Sequence, residues 1–157
     1  MTNDSNSISN NDNQSYFKSA IKWGVATGII MSLYLFAIDY ATTSNVIALK
    51  FLKYIFLIGA IAIAIPRYIN NVDHTVKFSK GISFGAYLTI TSAITMVILN
   101  FIAYLTTDSL AFDKFNSYSN SGWKLLFITG GIFFEVLVFG MISTFVVLQA
   151  IKDKTKL

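Results

Sequence analysis

The chain has 157 residues, 54% of them hydrophobic and 13% charged, with a formal net charge of +4. A water-soluble domain carries about 25% charged residues, so the composition argues against that class, and the lack of cysteine excludes a disulfide framework, a thiolate nucleophile and a cysteine metal site. A single histidine excludes a bis-histidine haem within one chain, and the basic residues flank apolar segments instead of clustering, which points to a lipid bilayer as partner and away from nucleic acid.

Residues 1–15 (MTNDSNSISNNDNQS) are rich in Asn and Ser and bury too little apolar surface to offset their ordering entropy, so they are expected to form a disordered polar cytoplasmic tail. No basic region opens them, so a cleavable signal peptide is not expected. The membrane domain then occupies 16–152, followed by a basic tail at 153–157. Its first span is expected at about 23–40, after an interfacial prelude at 16–22 that carries Lys18 and Lys22, with Asp39 at the far end.

The second span is less regular. Its charge-free core, Tyr54 to Ile65, falls short of the ~20 residues needed to cross. It reaches that length as about 48–69, with Lys50 and Lys53 extending toward one headgroup layer, Arg67 toward the other, and Pro66 in the last turn. The third span, about 82–106, lies between Lys80 and Asp108 and carries no charge. The fourth, about 125–151, lies between Lys124 and Lys152 and carries one, Glu135. The fold class is an all-α membrane protein with four transmembrane helices in an antiparallel bundle.

Basic residues set the orientation. Lys18, Lys22, Arg67, Lys77, Lys80, Lys152, Lys154 and Lys156 fall on one side, and Lys50, Lys53, Lys114 and Lys124 on the other. The first side is cytoplasmic by the positive-inside rule, so both termini are expected there, in a multi-pass protein of the cytoplasmic (inner) membrane.

Arg67-Tyr68-Ile69-Asn70 followed by Lys80-Gly81-Ile82-Ser83-Phe84-Gly85 resembles the small membrane proteins grouped as domain of unknown function 4199. Phe112-Asp113-Lys114-Phe115 is similar to that family's Asp-Pro-aromatic stretch, without its proline, and the segment after the third span is shorter than the family's. The resemblance covers about Lys18 to Lys154. It implies four transmembrane helices and a bacterial origin, and it brings no catalytic residues.

Glu135 is the sharpest candidate for chemistry. It lies about 16 Å along a helix counted from Lys124, near the bilayer midplane. An ionised carboxylate there costs about 3 kcal/mol, and a neutral acid must still place its O–H on an acceptor. The same depth on the third span holds Thr95 and, a turn away, Ser92, which are the expected partners. Gly131, Glu135, Ile142 and Gln149 are expected to share a face of the fourth span. Gly24, Gly28, Gly59, Gly81, Gly85 and Gly131 are the candidate helix-packing residues, since small side chains let helices approach closely.

His74 beside Asp73, and the oxygen-bearing loop at 108–120, offer no metal-ligand spacing. No nucleophile elbow, zinc motif, phosphate loop or intramembrane acid pair is present, so neither an enzyme nor a cofactor is expected. The expected function is a packing, assembly or accessory component that forms a homo-oligomer or joins a larger membrane complex. The alternative is a small proton- or cation-linked carrier or channel that uses Glu135.

Overall fold

The computed structural model describes residues 4–41, 47–69, 77–107 and 121–154. These are all helical apart from a turn at Leu52: α1 (Asp4–Ala41), α2 (Ile47–Phe51), α3 (Lys53–Ile69), α4 (Lys77–Thr107) and α5 (Ser121–Lys154). His74 and the loop at 108–120 lie outside the described residues.

Four stretches are long and apolar enough to cross a membrane: Phe17–Ile38, Leu49–Tyr68, Phe78–Ala103 and Leu126–Ile151. Three match the expected spans to within a few residues. The first begins earlier, so the expected interfacial prelude is part of the span. α1 itself starts at Asp4, and the segment expected as a disordered tail continues the helix through residues 4–15. Elongating an already nucleated helix demands far less than starting one.

The second span is interrupted. Leu52 N–H donates to Leu49 O at 3.2 Å and Ile55 N–H to Leu52 O at 3.0 Å, tight three-residue bonds that separate α2 from α3. Pro66 sits in the last turn of α3, followed by Arg67.

Each span is apolar all round, but only one face of each is buried. In α3 the buried face is Tyr54, Leu57, Ile61, Ala64 and Ile65, while Ile55, Phe56, Ile58 and Ile63 point outward. α5 buries Ile128, Ile132, Val136, Thr144 and Leu148 and exposes Phe134, Val138, Ile142, Phe145 and Val146. An outer surface this rich in large aliphatic and aromatic side chains suits a hydrocarbon solvent, as in a multi-pass membrane protein.

α1 packs chiefly on α4, α4 on α5, and α3 between α5 and α1; among the described residues α1 and α5 do not meet. Small residues make the closest crossings. A Cβ built on Gly24 would lie 2.7 Å from Leu88 O and from Thr91 Cβ, and one on Gly28 2.7 Å from Thr95 Cβ. Between α4 and α5 the contact is reciprocal, Gly85 lying against Thr144 and Gly140 against Thr89. Ser92 Oγ, buried, donates to Gly24 O at 2.9 Å and ties α4 to α1. Stacked rings add contacts along α3, Tyr54 on Phe139 at 4.2 Å and Tyr68 on Phe84 at 5.0 Å between centroids.

Candidate functional site

Lys53 and Glu135 meet inside the bundle. Lys53 Nζ lies 3.4 Å from Glu135 Oε2, with the lysine side chain 1% exposed and the glutamate 31%. Lys53 is the first residue of α3, and the stripe Lys53-Leu57-Ile61-Ile65 repeats every fourth position, so helical geometry turns the lysine toward the same interior as the core leucine and isoleucines. Glu135 adjoins Val136 at the edge of the buried seam of α5, on the side that faces α3.

A separation of 3.4 Å exceeds the about 2.7–2.9 Å of a well-formed charge-assisted hydrogen bond. Coulomb attraction in a poorly screened setting is therefore the main contribution. Lys53 Nζ also lies 4.9 Å from the centroid of the Tyr54 ring, within cation–π range, and that ring stacks on Phe139, one turn from Glu135. Tyr54 Oη is buried and lies beside the Glu135 carboxylate.

The three candidate polar residues are not drawn together. Ser92 bonds to α1, as above, and Thr95 Oγ1 donates to Thr91 O of its own helix at 2.8 Å, where it also fills the space beside Gly28. Glu135 meets a cation of the second span instead of a hydroxyl of the third. Lys53, expected to extend toward the headgroups, is buried. Longitudinal position suggested snorkelling, whereas the angular position of Lys53 on the helix turned it inward; the every-fourth-residue stripe was the readable signal.

The glycines divide likewise. Gly24, Gly28 and Gly85 are at helix crossings and Gly81 is buried. Gly59 and Gly131 have open space where a Cβ would stand, and Gly131, Ile142 and Gln149 face outward, so the expected α5 face is not the packed one. The packed face runs through Gly140 and Thr144. Gly85-x-x-x-Thr89 and Gly140-x-x-x-Thr144 repeat one spacing, which was the sequence signal for that contact.

Other polar groups in the spans turn back on the backbone. Thr27 Oγ1 donates to Trp23 O, Ser143 Oγ to Phe139 O and Thr144 Oγ1 to Gly140 O, at 2.6–2.8 Å. Asn100, 5% exposed on α4, has neither amide atom hydrogen-bonded. Among the described residues no group of three His, Asp or Glu side chains is placed to hold a metal ion.

Fold and site together describe a helical protein of four membrane-crossing-length segments with an ion pair between the second and the fourth. Compared with known proteins, the chain matches no family model, no curated protein and no solved structure.

Proposed function

We propose that this is a non-enzymatic protein of the cytoplasmic membrane, a packing or accessory component that assembles with itself or within a larger membrane complex. Both termini lie in the cytoplasm, and the helices form an antiparallel bundle. The pairings of Gly85 with Thr144 and of Gly140 with Thr89 support an opposed course for α4 and α5, and the charge asymmetry supports the orientation. The resemblance to domain of unknown function 4199 remains part of this reading.

The observation that carries the reading is the ion pair. Lys53 and Glu135 neutralise each other, and a paired charge inside a bundle serves first to specify which helix packs where. Reconstituted wild-type protein is expected to show no pH-driven proton or cation flux in proteoliposomes. Native-host purification in mild detergent is expected to yield a homo-oligomer or a companion subunit.

A second reading, a proton- or cation-linked carrier, is favoured by the break at Leu52 beside Lys53 and by the unpaired Asn100 amide. Flux that disappears in Glu135→Gln, with the fold retained, would establish it over the first.

A further inference from the structure

A cleft of about 290 Å³ separates α1 from α3, lined by Trp23, Ala26 and Ile30 on one side and Phe56, Gly59 and Ile63 on the other. The small residues Ala26, Gly59 and Ala60 leave it open, and Gly59 has nothing within 4 Å of where its Cβ would stand. Its rims, Ile30, Ile55 and Ile63, are about half exposed, so it opens onto the lipid-facing surface. Its one hydroxyl, that of Thr27, is already bonded to Trp23 O, which leaves an apolar lining suited to hydrocarbon. At about 30 Å³ per water-sized group, a chain segment of roughly ten heavy atoms fills it.

Charge marks one end. Arg67 is one turn beyond Ile63 on the same face of α3, and Lys22 immediately precedes Trp23 on α1. Both are exposed, and neither makes an ion pair among the described residues. Apolar walls ending in two cations complement an acyl chain ending in a phosphate. We propose that the α1/α3 cleft holds one anionic phospholipid, an acyl chain beside Gly59 and the phosphodiester at Arg67 and Lys22. The inference rests on the membrane reading: protein that does not reconstitute into bilayers defeats that reading, whereas reconstituted protein lacking lipid preference defeats only the cleft assignment.

Trp23 supplies the readout. In a Trp123→Phe background it is the sole tryptophan, and its fluorescence is measured in phosphatidylcholine vesicles carrying brominated-chain phosphatidylglycerol or, separately, brominated phosphatidylcholine. Phosphatidylglycerol is expected to quench at the lower mole fraction, by roughly fivefold per basic side chain engaged. Arg67→Gln with Lys22→Gln should remove the preference. Gly59→Leu, which has room for its side chain, should remove selective quenching while leaving thermal stability unchanged. Equal quenching by both lipids, or a preference that survives Gly59→Leu in folded protein, overturns the proposal.

Discussion

Lys53 and Glu135 are unequally buried, so removing one is not equivalent to removing the other. Glu135→Gln strands a lysine that is 1% exposed, whereas Lys53→Met strands a carboxylate that is 31% exposed and can reach the bundle surface. The first is expected to destabilise by about 3 kcal/mol or more, the range for breaking a buried pair, and the second by less. Replacing both with apolar residues, Lys53→Met with Glu135→Leu, should recover most of the loss. Thermal unfolding of the three variants in one detergent measures the order; equal losses in the two single variants, with no recovery in the double, would show that the pair is not what places α3 against α5.

At the level of the helix, the glycines form two groups that respond oppositely to substitution. Gly85 and Gly140 lie where a methyl would collide with Thr144 and Thr89, side chains held between packed helices. Alanine at either is expected to cost about 1–3 kcal/mol through overpacking. Gly59 and Gly131 have open space, and alanine there is expected to be neutral or slightly stabilising, because it removes the entropic cost of glycine within a helix. A thermal-shift series over the four positions checks this division. The same logic limits what could be read beforehand: a glycine at a suitable spacing shows that close approach is permitted, but the presence of a partner depends on another helix. Gly24 and Gly85 have such partners. Gly59 does not, and its gap is what opens the α1/α3 cleft.

For the whole molecule, the decisive property is the outward apolar surface. Only 33–39% of each span's most apolar window is buried, so most of that surface requires lipid. The protein should remain in the pelleted membranes after alkaline carbonate extraction, and release into the soluble fraction would remove the basis of the membrane reading. Topology can be tested cleanly because the chain lacks cysteine. Single cysteines introduced at Ser5 and Thr155 should both be protected from a membrane-impermeant maleimide in intact cells, and one at Ser117 labelled. Labelling of either terminal cysteine would reverse the orientation.

The presence of four spans was legible in the sequence alone, because crossing length depends on the apolar character of about 20 consecutive residues and needs no knowledge of neighbours. Glu135 was legible as the residue that demands an explanation for the same reason. Its partner was not. Lys53 lies 82 residues away, and only the packing of α3 against α5 brings the two within 3.4 Å. Ser92 and Thr95 were selected by depth, yet depth leaves the rotation of each helix undetermined, and that rotation turned Ser92 toward Gly24 and Thr95 toward Gly28. Hydropathy acts along the chain, whereas pairing depends on which faces meet, and in a helix apolar on every side only the assembled bundle selects the face.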